Sequence, residues 1–386
     1  MQPPLPRTVK VLGAVSLLTD VSSEMIYPLL PAFLIGPLKA SPAFLGMVEG
    51  LAEAAASLVK FLSGRISDAL PRRKPLVVAG YALSSVARPL VALASAPLHV
   101  LWIRLADRIG KGTRGAPRDA LVAEVTPGDA RGRAYGFHRA MDNLGALLGP
   151  LAASALLAFQ VELRTVFALA AVPALISLLV LVLGVREQHR SGPRPAAATG
   201  PAAASSGSLR WYLGVLAVFT LGNSSDAFLI LRAQEAGVGL TAIPLVWALH
   251  NGVKAAASTH GGAFSDRFGR RPSIVLGWAV YAVAYAGFAL ATSALAITLL
   301  FALYGIFHAL SEGPERALVA DLAGAGSRGA AFGAYHAVTG AMLLPASLLT
   351  GWLWQSYGSA AALLTGAALA AVAAAGLLVL VEEGGR

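Results

Sequence analysis

Apolar residues run along this chain in long blocks, separated by short polar or basic stretches. A helix that crosses a membrane needs about 20 mostly apolar residues. Twelve blocks reach that length: Val9–Leu34, Ala43–Ile66, Pro75–Ala94, Val100–Ala120, Ala134–Phe159, Arg164–Val185, Trp211–Leu231, Ala242–Phe264, Ser273–Ala291, Leu295–Asp321, Ala331–Trp354 and Ala360–Val381. The first, fourth, seventh and tenth carry charges within them. The pattern predicts an all-α integral membrane protein with twelve transmembrane helices. Between the sixth and seventh blocks lies "REQHRSGPRPAAATGPAAASSGSLR", rich in Pro, Ala, Ser and Gly. That composition predicts a flexible linker over 186–208, joining a six-helix half at 1–185 to a second at 209–386.

Composition narrows the class. The chain is 56% hydrophobic and 13% charged, where a soluble protein carries about a quarter charged residues. It has no cysteine, which removes disulfides, thiol catalysis and thiolate metal sites. The net charge of +10 does not point to nucleic acid. Its basic residues lie between apolar blocks, and no nucleic-acid-reading module is visible. The start, "MQPPLPRTVK", is short and basic. The block behind it is too long for a signal-peptide core and no small-residue cleavage site follows, so a retained first span is expected.

Basic residues also set the orientation. One set of loops holds Arg72, Arg73, Lys74, Arg131, Arg133, Arg186, Arg190, Arg194, Arg267, Arg270, Arg271 and Arg328; the other holds little beyond Lys39 and Arg164. The first set is expected in the cytoplasm, with both termini and the linker, in a multi-pass protein of the cell (inner) membrane.

The halves repeat each other. "SGRISDALPRRKP" (Ser63 to Pro75) matches "GGAFSDRFGRRP" (Gly261 to Pro272), and "PRDALVAE" (Pro117 to Glu124) matches "PERALVAD" (Pro314 to Asp321). "RGRAYGFH" (Arg131 to His138) matches "RGAAFGAY" (Arg328 to Tyr335), and Ser22-Ser23-Glu24 matches Ser224-Ser225-Asp226. Parallel six-helix repeats are a transporter architecture, with the substrate site near the midplane.

On these residues the chain resembles the major facilitator superfamily over nearly its whole length. Gly64, Asp68, Arg72 and Arg73 look like its signature loop between spans two and three. Gly262, Asp266, Gly269, Arg270 and Arg271 look like the copy between spans eight and nine. The first copy has Pro71 where glycine is usual, which puts the loop's geometry in question. The resemblance implies a conformational latch; ordinary ion pairs within each loop are the simpler alternative. "GALLGP", with Gly145, Gly149 and Pro150, resembles a motif of drug–proton antiporters, although Ala152 and Ala153 stand where that pattern prefers glycine. Gly145 and Gly149 also have the spacing of tight helix packing.

Charges inside a span are costly and face a cavity or a partner. In the family, spans one, four, seven and ten line the central cavity, and the intramembrane charges concentrate there. Span one has Asp20 and Glu24, one turn apart. Span four has a stripe of Arg104, Arg108, Lys111 and Arg118, flanked by Asp107 and Arg114. Span seven has Asp226 and Arg232, and span ten has His308, Glu312, Glu315 and Arg316. Span five adds His138, Arg139 and Asp142, and span eight adds His250 and Lys254. Candidate proton carriers are Asp20, Glu24, Asp142, Asp226 and Glu312. Candidate cavity residues are Arg104, Arg108, Lys111, Arg139, His250 and His308. Pairing such as Arg104–Asp107 or Arg139–Asp142 is the structural alternative, and at the helix ends Arg118, Asp119 and Arg316 read as ordinary ion pairs. Arg88, beside Pro89 in span three, is expected to pair with a neighbouring carboxylate. Gly110, Gly112, Gly115 and Pro117 allow a break in span four. Trp211, Trp278 and Trp354 read as interface anchors or packing.

The function these features favour is secondary active transport of a small solute, coupled to protons and directed outward, by a monomer in the bilayer. Uptake of an anionic metabolite and transport of a divalent cation remain open, as does a non-transporting sensor with this fold. No HExxH, GxSxG or GxxxxGK[ST] motif is present, so neither an enzyme nor a nucleotide-driven pump is expected. No cofactor, resident metal or nucleic-acid partner is expected.

Overall fold

The computed structural model describes residues 4–127, 130–185, 187, 207–323 and 328–381. The expected linker at 186–208 lies outside the described residues, apart from 187, 207 and 208. Arg186, Arg190, Arg194 and the side chain of Arg328 lie outside them too. Among the described residues every regular element is a helix: α1 (Arg7–Ile26), α2 (Leu30–Ile35), α3 (Pro42–Ala69), α4 (Lys74–Ala87), α5 (Pro97–Val125), α6 (Arg131–Ala158), α7 (Leu163–Leu169), α8 (Ala171–Gly184), α9 (Gly207–Gly222), α10 (Ala227–Glu235), α11 (Ile243–Phe268), α12 (Arg270–Leu290), α13 (Ala294–Leu322), α14 (Arg328–Tyr357) and α15 (Ser359–Leu380).

Nine stretches among the described residues are helical, long and apolar enough to cross a membrane. The other three expected spans are helical as well, in α1–α2, α5 and α11. These are the helices that hold Asp20 and Glu24, the basic stripe, and Lys254 with three histidine or acidic neighbours, so polar content explains their lower apolarity. Two expected spans tighten into 3-10 turns, at Tyr27–Leu29 and Arg88–Leu93. Pro28 and Pro89 sit at the start of these turns and lack the N–H that a continuous α-helix needs.

The expected break in span four does not occur. α5 runs unbroken through Gly110, Gly112, Gly115 and Pro117. Two of its glycines serve helix contact: a Cβ on Gly110 would lie 2.6 Å from the Gly80 carbonyl, and one on Gly112 would lie 2.6 Å from the Ala56 carbonyl. Span seven breaks instead, with Asn223, Ser224 and Ser225 outside any helix between α9 and α10.

The chain divides into two compact units. The first comprises 1–40, 51–194 and 239–248; the second comprises 41–50, 195–238 and 249–386. In the first, α1 packs on α5, α6 and α8, and α4 packs on α5 and α8. Its core is aliphatic, built from Val9, Leu12, Val15, Val77, Leu121 and Leu181 around Tyr81. The second repeats the plan, with α9 on α14 and α15, and α12 on α13 and α15. Its core is aromatic: Phe219 stacks on Trp278 with ring centres 4.4 Å apart, and Tyr281 stacks on Tyr285 at 4.0 Å. Trp278 is thus a packing residue, as expected.

Candidate functional site

In the first unit, Asp20 and Glu24 lie on successive turns of α1. The antiporter-like motif of α6 lies directly against them. A Cβ on Gly145 would sit 2.8 Å from Asp20 Cβ and 2.6 Å from the Leu17 carbonyl. A Cβ on Gly149 would sit 2.8 Å from Glu24 Cβ and 2.6 Å from the Val21 carbonyl. Only glycine permits this approach, so the two motif glycines register with the two acids. Pro150, next in the motif, lies within α6. Glu24 accepts the Trp247 indole N–H at 2.7 Å, and Tyr27 packs on the Trp247 ring. Asp142, on α6, accepts the Ser16 hydroxyl, and His138 Nδ1 lies 3.4 Å from it. The alternative pairing of Arg139 with Asp142 is not formed; Arg139 is exposed, while His138 is buried one turn before the acid.

The basic stripe of α5 resolves into separate partnerships. Arg88 Nε donates to Asp107 Oδ1 at 2.7 Å, and its guanidinium also reaches the Thr19 carbonyl at 2.9 Å. The expected partner of Arg88 is therefore Asp107. Arg104 lies 3.8 Å from the same carboxylate and 5.5 Å over the Tyr27 ring. Arg108 pairs with Glu53 of α3 at 3.0 Å. Arg114 donates to Ser84 at 2.6 Å and lies over Tyr81. Arg118 pairs with Asp119 at 2.9 Å, as its place near the helix end suggested. Lys111 is exposed, within electrostatic range of Arg108, Glu53 and Asp20. Arg88, Arg104 and Asp107 line a small cleft of about 10 Å³, space for about one water, with Ser23, Ile26 and Ile103.

Sequence reasoning missed Glu49 and Glu53. They stand one turn apart in the second apolar block, the same signal that singled out Asp20 and Glu24. Glu53 neutralises Arg108, and Glu49 accepts the Ser225 hydroxyl at 3.3 Å within the second unit.

In the second unit, α11 and α13 bring four candidates together. Lys254 Nζ lies 2.6 Å from Glu312 Oε1, and His308 Nδ1 lies 3.0 Å from the same oxygen. His250 stacks on Tyr304 and meets the His308 ring at 5.4 Å. The Tyr304 hydroxyl donates to Asp226 Oδ1 at 2.7 Å. Gly305 lets the helices approach, since a Cβ there would lie 3.0 Å from the His250 carbonyl. Glu315 is buried and accepts the Trp278 indole N–H at 3.0 Å and the Tyr335 hydroxyl at 3.1 Å. Arg232 is not aimed at Asp226: it donates to the Phe288 and Ala291 carbonyls at the end of α12. Among the described residues no group of three or more His, Asp or Glu is placed to hold a metal ion.

The two signature loops form matching ion triads. Arg73 lies 2.9 Å from Asp68 and 3.1 Å from Glu124. Arg270 pairs with Asp266 and lies 3.6 Å from Asp321. Glu124 and Asp321 end the matched stretches "PRDALVAE" and "PERALVAD". The arginine used differs by one place in the repeat, because the loops differ. Gly269 has φ 101°, so α12 starts at the next residue. Proline cannot adopt that conformation, so the first loop runs over residues 70–73 and α4 begins at Lys74. Arg72 is exposed, and Arg271 donates to the Leu378 carbonyl. Gly64 and Gly262 of these loops do not serve close helix approach. A Cβ on Gly64 would make only ordinary contact, at 3.5 Å, and one on Gly262 would meet nothing within 4 Å. Gly261 is the glycine pressed on a neighbouring backbone, at Ala309, because it, not Gly262, faces α13.

The profile of the Major Facilitator Superfamily matches residues 12–335 and again residues 213–385. An uncharacterised MFS-type transporter of Methanocaldococcus jannaschii is 35% identical over 376 residues, covering 94% of each chain. The class C tetracycline resistance protein of Escherichia coli is 28% identical over 74% of each chain. Among solved structures, a bacterial homolog of the human lysosomal transporter Spinster, in an inward-facing and occupied conformation, superposes with a TM-score of 0.78. It covers 96% of each chain at 15% identity. The chain therefore belongs to the major facilitator superfamily, a family of membrane transporters and not of enzymes.

Proposed function

We propose that this chain is a secondary active transporter that exports a small solute in exchange for protons by alternating access. In this reading the charged helices α1–α2, α5 and α11 join the nine apolar stretches to make twelve crossings. The six-helix halves are 1–185 and 209–386, joined by a cytoplasmic linker, with both termini in the cytoplasm. The protein acts as a monomer in the cell (inner) membrane.

The observation that carries the reading is the seating of Gly145 and Gly149 against Asp20 and Glu24. A motif resembling that of drug–proton antiporters abuts the two carboxylates best placed to carry protons. Asp142 stands close enough to Asp20 to interact with it electrostatically, so loading a proton on one affects the other. Glu312 is held by Lys254 and His308, which suits it to a structural lock more than to proton exchange. The ion triads at Arg73 and Arg270 act as the latch that favours one conformation. Similarity to a tetracycline resistance protein supports the outward direction and a drug-like cargo.

The test uses purified protein in liposomes with an imposed pH gradient and an internal pH reporter. Tetracycline, ethidium, and pools of organic anions and divalent metals are added in turn. Solute-driven proton movement with tetracycline or ethidium is the expected result. Absence of movement with every probe would overturn the reading. A second reading, proton-coupled uptake of an anionic metabolite, is favoured by the cleft at Arg104. There Arg88 and Arg104 form a buried basic wall beside Asp107, the kind of surface that attracts a carboxylate. Accumulation of organic anions in the same liposomes would select it.

A further inference from the structure

The break in span seven gathers oxygen atoms around Asp226, a candidate proton carrier by sequence that the proposed exchange at Asp20 and Glu24 does not use. α9 stops at Gly222 and α10 starts at Ala227. In span one the same Ser-Ser-acid triplet, Ser22 to Glu24, lies inside unbroken helix. The preceding residues explain the difference. Span one has Asp20-Val21 there, and span seven has Gly222-Asn223. Glycine disfavours helix, and Asn, Ser and Asp compete for the backbone with their own side chains.

Four observations meet at this break. First, Asp226 accepts the Tyr304 hydroxyl, and among the described residues no Lys, Arg or His pairs with it. Second, Ser224 and Tyr285 are 5% and 1% exposed, and neither Ser224 Oγ nor Tyr285 Oη has a hydrogen-bond partner. Tyr285 lies within interaction range of Asp226, Ser224, Tyr281 and Tyr304, without the geometry of a hydrogen bond to any of them. Third, among the described residues no backbone N–H donates to the carbonyls of Asn223 or Ser224. Fourth, Gly366 of α15 faces the Tyr285 ring and the Gly222 carbonyl, where a Cβ would lie 3.0 Å and 2.8 Å from them.

A buried hydroxyl without a partner costs about 1–3 kcal/mol, and a carboxylate in a span without a counter-charge marks an ion path. Broken helices in transporters offer freed carbonyls to sodium. All the donors here are hard oxygens, which suit a hard cation. A proton on Asp226 would supply one donor and could satisfy one hydroxyl. A small cation engages the lone pairs of both hydroxyls together with the carboxylate.

We propose that the break in span seven binds a sodium ion, through the Asp226 carboxylate, Ser224 Oγ, Tyr285 Oη and the carbonyl oxygens of Asn223 and Ser224. The site is separate from Asp20 and Glu24. It rests on the transporter reading only for its use as a coupling or structural ion.

The experiment measures thermal unfolding of the purified full-length protein in detergent at fixed pH. Sodium, potassium and choline chlorides are compared at equal ionic strength. The expected result is a saturable rise in melting temperature with sodium alone. Asp226→Asn abolishes the rise. Tyr285→Phe and Ser224→Ala, which preserve the fold more readily, weaken the apparent sodium affinity at least tenfold. Asp20→Asn keeps the response, so loss of the sodium site and loss of the proton site are told apart. Identical melting in sodium and choline would overturn the proposal. So would a sodium response that survives Asp226→Asn.

Discussion

Buried carboxylates are held differently in the two units. In the first, Asp107 is 3% exposed and lies against Arg88 and Arg104. In the second, Glu315 is 7% exposed and is held by an indole and a phenol. Asp226 is likewise held by a phenol. The repeat reverses charge at two adjacent matched places: Arg118-Asp119 in "PRDALVAE" corresponds to Glu315-Arg316 in "PERALVAD". One helical plan thus carries a unit with an aliphatic core whose most buried aspartate, Asp107, is salt-linked, and a unit with an aromatic core in which Glu315 and Asp226 meet neutral donors while Glu312 pairs with Lys254. A carboxylate fixed by arginines stays charged and structural. One held by neutral donors is free to change its charge or gain a cation without stranding a buried partner.

Replacing each buried acid by its amide breaks the comparison at its widest point. Asp107→Asn leaves Arg88 and Arg104 without their counter-charge and is expected to cost about 3–5 kcal/mol, read from chemical denaturation in detergent. Next in size is Gly149→Leu. Its side chain would drive into Glu24 and the Val21 carbonyl, with an expected cost of about 1–3 kcal/mol from overpacking and loss of proton-coupled flux. Gly262→Ala is the control, since a Cβ there meets nothing, and its stability should stay within about 0.5 kcal/mol of wild type.

The loops sharpen the comparison further. Gly269→Ala places a side chain at φ 101° and is expected to cost about 1–3 kcal/mol, seen as a lower melting temperature. Pro71→Gly should not produce a comparable loss, because the longer first loop does not use that conformation. The smallest effect is expected for Glu315→Gln. Its amide can keep an acceptor for Trp278 while the Tyr335 hydroxyl turns, so the change should stay within about 1 kcal/mol. A cost as large as that of Asp107→Asn would show that Glu315 is locked by charge after all.

The helices and the repeat were readable because burial in a bilayer demands long apolar runs and every polar interruption stands out against them. Arg88 betrayed a partner for the same reason. Other features depend on contacts between helices, which spacing along one helix does not reveal. The glycines of α5 looked like a breakpoint but are contact points for α3 and α4. The true break, at Asn223, lay between two apolar runs and read as one span. Glu49 and Glu53 carried a usable signal, two acids one turn apart, but their block is otherwise apolar and the pair was passed over. The partners of Asp142 and Glu315 come from neighbouring helices and turns, beyond the reach of local pattern.

The central claim is that Asp20 and Glu24 carry the protons. Its most direct test is pH-driven transport in proteoliposomes, using the first probe that moves protons in the wild type. Asp20→Asn and Glu24→Gln are compared with the wild type for pH-driven flux and for solute exchange without a gradient. The account predicts that both variants lose pH-driven flux and that at least one retains exchange. Full pH-driven flux in both variants would contradict it.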